Sequence, residues 1–104
     1  METKTFFSII VPTYNRPAEL AACLEALCHL DYPRDRFEVI VIDDGSSAPL
    51  QPTVARLFNQ LDVTLLTQTN AGPAAARNAG AKKARGEFLA FMDDDCTPSP
   101  GCLK

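Results

Sequence analysis

No apolar run in this 104-residue chain approaches the roughly 20 residues needed to span a bilayer. The opening METKTFF has neither the long apolar stretch nor the small-residue cleavage site of a secretory signal, so the cytoplasm is the expected location. Basic clustering is slight: the largest group is Lys82, Lys83 and Arg85, and the net charge is −3, which argues against a nucleic-acid partner. Histidine is nearly absent. His29 alone stands near the end of a helical pattern, where a terminal helix residue is the better reading than a metal ligand. The cysteines Cys23, Cys28, Cys96 and Cys102 pair off with four and five intervening residues, spacings that match no common zinc motif. They are expected to be reduced, structural thiols. There are no repeats and no low-complexity linker, and the length suits one domain.

What is present reads as an ordinary globular chain, 46% apolar and 22% charged. Residues 6–12, FFSIIVP, are a short apolar run rich in β-branched residues and predict a strand. Asn15 and Arg16 lead into Pro17, suited to the first helical position, and Leu20, Cys23, Leu24, Leu27 and Cys28 then recur at helical spacing. Residues 37–43, FEVIVID, predict a second strand, apolar without alternation and hence buried on both faces, as in a parallel sheet under helices. Thr53 to Leu61 predicts a short helix with Val54, Leu57, Phe58 and Leu61 facing inward, and residues 62–67 a third strand. An Ala-rich helix follows, with Pro73 near its start and Gly86 past its end, and residues 87–92 read as a fourth strand, again buried. Strict alternation of strand and helix predicts an α/β fold with parallel strands and right-handed crossovers.

The strand ends carry the chemistry. In open parallel sheets, ligands bind beyond the carboxyl ends of the strands, where strand order reverses. The first strand ends in PTYNR, the second in DDGSS and the fourth in DDDC, while the third ends in the uncharged TQTN. Turn chemistry explains any one acidic cluster. It does not explain why acids follow two strands of the same sheet and spare a third.

SIIVPTYNRPAEL, VIVIDDGSS and NAGPAAARNAGAKKARGEFLAFMDDD together resemble the nucleotide-binding half of an inverting family 2 glycosyltransferase with the A-type fold, over essentially the whole chain. The resemblance implies a Rossmann-like sheet in strand order 3-2-1-4 with helices on both faces. It implies that Pro12, Thr13 and Tyr14 border the base and ribose of a sugar nucleotide, with a UDP-sugar favoured. Asp44 would accept a hydrogen bond from the base, and Arg77 would lie near the nucleotide or its phosphates. Asp93-Asp94-Asp95 would be the family's Asp-x-Asp motif, Asp94 near the ribose and Asp93 and Asp95 at a Mg²⁺ or Mn²⁺ ion. A hard cation takes oxygen ligands and can bridge carboxylates to a diphosphate, which gives three adjacent acids a use.

The same residues admit other readings. DDDCT fits the Asp-x-Asp-x-Thr pattern of haloacid-dehalogenase-type phosphatases, with Asp93 as nucleophile and Asp95 as acid/base, although their downstream lysine and acids have no counterpart here. VIDD resembles the paired acids of receiver domains, where the acids follow the first strand and not the second. A nucleotide-binding module without catalysis shares every feature. Inverting transfer needs a base to deprotonate the acceptor hydroxyl. In the family it lies C-terminal to the metal motif, and only nine residues follow Asp95, so no catalytic base is assigned. The expectation is a donor-binding half of a longer enzyme, inactive alone, whose acceptor (glycan or lipid) is bound elsewhere and which works in the cytoplasm or at the cytoplasmic face of a membrane. A sheet cut short after four strands would expose an edge, so self-association is a further expectation.

Overall fold

The computed structural model describes residues 6–99 and Gly101. Four strands, β1 (Phe7–Thr13), β2 (Phe37–Asp43), β3 (Val63–Thr67) and β4 (Phe88–Phe91), form one wholly parallel sheet in the order β3-β2-β1-β4. Helix α1 (Pro17–Leu27) connects β1 to β2, and α3 (Pro73–Lys83) connects β3 to β4. A short α2 (Gln51–Ala55) lies between β2 and β3, and a 3₁₀ turn (Arg34–Arg36) leads into β2.

β2 is buried at all seven positions, as its unbroken apolar run requires, because neighbouring strands pair with both its edges and helices cover both its faces. On one face Ile9, Val11, Val39 and Val41 pack against Leu20, Cys23, Leu24 and Leu27 of α1 and against Val54 of α2. Each fully buried leucine of that layer contributes about 1.5–3 kcal/mol of transfer free energy. On the other face Ile10, Ile40 and Ile42 meet Ala76 of α3. The alanine-rich helix lies close to the sheet. A Cβ on Gly80 would stand 2.6 Å from Ile10 Cγ2 and 2.7 Å from Ile42 Cδ1, so hydrogen is the only side chain that fits without displacement.

Two expectations are corrected. The segment 53–61 is not one helix: α2 begins earlier, with Pro52 in its first turn, ends at Ala55, and gives way to turns. Val54, Leu57 and Leu61 still reach the core, but the turns point Phe58 outward, 48% exposed. β4 is not buried. Among the described residues it pairs only with β1, α3 packs chiefly over β1 and β2, and Phe88, Leu89 and Phe91 are all exposed. Its apolar residues identify a strand, but burial needs a neighbour on the far edge, and no described residue supplies one.

A polar clasp closes the end of the sheet opposite the carboxyl ends of the strands. The buried Glu38 carboxylate accepts from Ser8 Oγ (2.6 Å), the Arg85 backbone N–H (2.7 Å) and Arg85 Nε (3.0 Å), and Arg85 Nη2 continues to Asp62 (2.6 Å). Burial pushes the Glu38 pKa up, but the backbone N–H of Arg85, the Ser8 hydroxyl and the guanidinium together outweigh it and hold the carboxyl below its ordinary value. The clasp ties the α3–β4 connection to β1, β2 and the loop before β3.

Candidate active site

The chain runs outward from β1 to β2 to β3, then returns across the sheet to β4 on the other side of β1. Strand order therefore reverses between β1 and β4, and a cleft of about 420 Å³ opens beyond the carboxyl ends of the strands there. That volume lies within the usual range of small-molecule sites. Pro12, Thr13 and Tyr14 line it from β1 and its end, Asp44 from the end of β2, Arg77 from α3, and Asp93, Asp94 and Asp95 from the end of β4. All eight residues singled out in the sequence thus face one cavity. Parallel strands deliver their C-terminal ends to the same edge, which is why segments 80 residues apart in sequence converge.

The two acids after β2 divide by position. Asp43, the last residue of the strand, turns its Oδ1 to the Ser46 N–H (2.8 Å) and shapes the loop. Asp44, one residue on, projects into the cleft. Its Oδ1 accepts from Gln68 Nε2 (2.8 Å) and the Ala71 N–H (2.8 Å), and its Oδ2 from the Gly72 N–H (3.0 Å). The Gln68 amide and the two backbone N–H groups stabilise the charged form and hold the carboxyl below its ordinary pKa against the opposing effect of desolvation. Asp44 thereby fastens the entry to α3, the helix that carries Arg77, and among the described residues its Oδ2 accepts one hydrogen bond where Oδ1 accepts two. Gly45 turns the chain away with a φ of 83°, and a Cβ there would stand 2.9 Å from the Asn70 nitrogen.

The three acids after β4 also differ. Asp94 is buried: its Oδ2 accepts from Thr13 Oγ1 (2.8 Å), and its Oδ1 lies 3.4 Å from Arg16 Nη1. Asp93 and Asp95 are exposed at the rim, Asp95 3.6 Å from the same Arg16 nitrogen. Behind the loop, Cys23 Sγ lies 3.9 Å from Met92 Sδ and from the Asp93 carbonyl oxygen. Burial pushes that thiol up to about 12, with smaller contributions from Cys96, Asp94 and Asp95, so it is inert as a nucleophile at neutral pH. Cys23, Cys28 and Cys96 are free thiols, and Cys102 lies outside the described residues.

Sequence reasoning missed three contributors. In sequence Arg16 reads as part of a helix lead-in, yet among the described residues it is the cation paired with Asp94 and Asp95. Gln68, in the uncharged TQTN, orients Asp44. Asn15, with a φ of 53°, donates its backbone N–H to Ser46 Oγ (2.9 Å) and accepts from the Ser47 N–H (2.8 Å), stitching the loops after β1 and β2 together. An asparagine beside a tyrosine at a strand end was the available signal, since Asn enters the left-handed region more readily than most residues.

Residues 8–104 match the sequence signature of glycosyl transferase family 2. Glycosyltransferase AglE of Haloferax volcanii is 37% identical over 100 residues, covering 92% of this chain and 32% of that protein. The crystal structure of Staphylococcus aureus TarS 1-349 in complex with UDP-GlcNAc superposes with a TM-score of 0.87 at 37% identity, covering 91% of this chain and 28% of that one. Mannosyltransferase PcManGT of Pyrobaculum calidifontis, in complex with GDP-Man and Mn²⁺, does so with a TM-score of 0.86 at 32% identity, over 94% and 30%. The chain spans about a third of the length of AglE and of the PcManGT and TarS 1-349 chains, and its match to full-length TarS covers 16% of that protein. The match displaces the phosphatase and receiver readings of the aspartates. On its fold, its strand-end acids and its sequence, the chain belongs to glycosyl transferase family 2.

Proposed function

We propose that the cleft binds a nucleotide-diphospho-sugar together with a divalent cation, and that the chain supplies the donor side of an inverting glycosyltransferase. The convergence of Asp44 and the Asp93–Asp95 run on one cleft at the reversal of strand order carries this reading. The relatives whose structures hold UDP-GlcNAc, or GDP-Man with Mn²⁺, support it.

The donor set suits a cation that arrives with its substrate. Asp94 is buried and held by the Thr13 hydroxyl, which leaves the exposed carboxylates of Asp93 and Asp95, the latter 3.6 Å from Arg16, as hard ligands. No group of three or more His, Cys, Asp or Glu among the described residues is arranged to hold a metal unaided. One or two carboxylates completed by phosphate oxygens and water is the usual setting of Mg²⁺, and Mn²⁺ shares its preference for oxygen. Asp93 and Asp95 would hold the ion, which when bound offsets charge on the departing diphosphate.

The chain's own residues do the rest. Asp44 offers its Oδ2 to a base N–H, with Pro12, Thr13 and Tyr14 alongside to enclose base and ribose. Asp94, fixed by Thr13, faces the ribose hydroxyls as a preset acceptor. Arg77 presents its guanidinium to the phosphates from the side of α3. A UDP-sugar is the favoured donor.

Calorimetry with UDP, GDP and dTDP, each with and without Mn²⁺, tests the reading. Binding of one nucleoside diphosphate, strengthened by Mn²⁺ and abolished by Asp44→Ala with Asp95→Asn, is the expected result. No binding of any of them at millimolar concentration would overturn it. Incubation with the matching sugar nucleotide and candidate glycan or lipid acceptors separates a catalytic unit from a binding module.

A further inference from the structure

The guanidinium of Arg16 occupies the place where positive charge is wanted at the acidic loop. Its Nη1 lies 3.4 Å from Asp94 Oδ1 and 3.6 Å from Asp95 Oδ2. The two acids depend on it unequally. Asp94 is also held by the Thr13 hydroxyl at 2.8 Å and is buried, whereas the Asp95 side chain is 60% exposed and Arg16 is its only ion-pair partner among the described residues. Both contacts exceed the 2.7–2.9 Å of a tight charge-assisted hydrogen bond. The Arg16 side chain is itself 49% exposed and stands on the loop between β1 and α1, where it caps nothing: α1 has no side-chain cap. It is thus poorly anchored, solvated and free to exchange partners. The same side chain lines the cleft.

We propose that Arg16 is an exchangeable counter-ion that couples cation and nucleotide binding: it neutralises Asp94 and Asp95 in the empty cleft, and moves to the diphosphate when a divalent cation takes Asp95. This inference rests on the reading of the cleft as a sugar-nucleotide site. A cation at Asp95 meets a like charge within ion-pair distance of the oxygen it needs, so binding of the metal alone is opposed. A diphosphate offers the planar guanidinium a bidentate anionic partner better than two long, partly solvated carboxylate contacts. Nucleotide therefore draws Arg16 off the acids and frees Asp95 for the metal. By reciprocity, metal that displaces Arg16 increases affinity for the diphosphate by the same factor.

The discriminating experiment measures Mn²⁺ affinity by electron paramagnetic resonance of the free ion, for wild type, Arg16→Gln, Arg16→Lys and Asp95→Asn, each with and without UDP. Circular dichroism establishes that each variant is folded. Without UDP, Arg16→Gln is expected to bind Mn²⁺ about two- to fivefold more tightly than wild type, the scale of one solvated ion pair, while Arg16→Lys stays near wild type. With UDP, the gain in Mn²⁺ affinity seen for wild type shrinks in Arg16→Gln by a similar factor. Unchanged or weaker Mn²⁺ binding by Arg16→Gln in the absence of UDP, while wild type binds Mn²⁺ in its presence, overturns the role of Arg16 and leaves the site reading intact. Failure of wild type to bind Mn²⁺ even with UDP, or indifference to Asp95→Asn, overturns both.

Discussion

Thr13 and Asp94, 81 residues apart in sequence, are joined by a 2.8 Å hydrogen bond from the threonine hydroxyl to a buried carboxylate oxygen. That bond locks the end of β1 to the loop after β4, across the line where strand order reverses, and so sets the floor of the cleft. Thr13→Val keeps the shape and removes the donor. A buried acceptor that loses its partner costs about 1–3 kcal/mol. For a chain of this size each kcal/mol lowers Tm by about 4–8 °C, which calorimetric melting would read. The expected companion effect is weaker nucleotide binding, because Asp94 loses its fixed orientation.

Asp44→Asn is the sharpest probe of the nucleotide side. An amide has one acceptor oxygen where the carboxylate has two, so it cannot serve Gln68, Ala71 and Gly72 and still address a base. Affinity for the preferred nucleoside diphosphate should fall about tenfold or more, with or without Mn²⁺, since the lost contact is to the base. Unaltered calorimetric affinity would remove Asp44 from the site.

Stability should fall in acid, and the direction follows from Glu38 and Asp44. Both carboxyls are held below their ordinary values of 4.5 and 3.8 in the folded chain. Between the folded and unfolded pKa the unfolded state binds more protons, so folding is favoured as pH rises. The contribution is fully present above about pH 5 and is lost as pH drops through the 3.8–4.5 region and below. Glu38→Gln should flatten part of this dependence in urea titrations at pH 3.5 and 6.

Arg85→Ala tests the clasp apart from the cleft. It removes the Nε bond to Glu38 and the pair with Asp62, while Ser8 and the backbone N–H still serve the carboxylate. With the guanidinium largely exposed, the expected loss is about 1–2 kcal/mol, measured as a lower urea midpoint. Nucleotide affinity should be unchanged, because the clasp lies at the other end of the sheet.

Thiol labelling should separate the cysteines. Cys96 is exposed and should react with maleimide in the native state, whereas Cys23, buried and pushed up to about 12, should react only on unfolding. Mass spectrometry of peptides after a brief pulse gives the order. Fast native labelling of Cys23 would mean that the Met92–Asp93 segment opens readily.

Much of this protein was determined by local sequence. The unbroken apolar run of β2, the helical spacing of Leu20, Leu24 and Leu27, and Pro17 and Pro73 at helix starts depend on neighbours a few residues away, and they are enough for strand–helix alternation. Alternation brings parallel strands, and parallel strands bring their carboxyl ends to one edge, which gathers the polar ends of β1, β2 and β4; the resemblance to a known family, and not that geometry, singled out the eight residues, Arg77 on α3 among them. Tertiary structure decided what depends on distant partners. Phe88, Leu89 and Phe91 read as buried, but exposure of a strand is set by what lies across its free edge. Arg16 read as a helix lead-in, because its relation to Asp94 and Asp95 exists only once residues nearly 80 positions apart are folded together. The different work of Asp43 and Asp44, one bound into a loop and the other turned to the cleft, follows from a single step along the backbone as it leaves the sheet. Periodicity and capping are short-range and legible in sequence; ion pairing and burial are properties of surfaces that only the fold assembles.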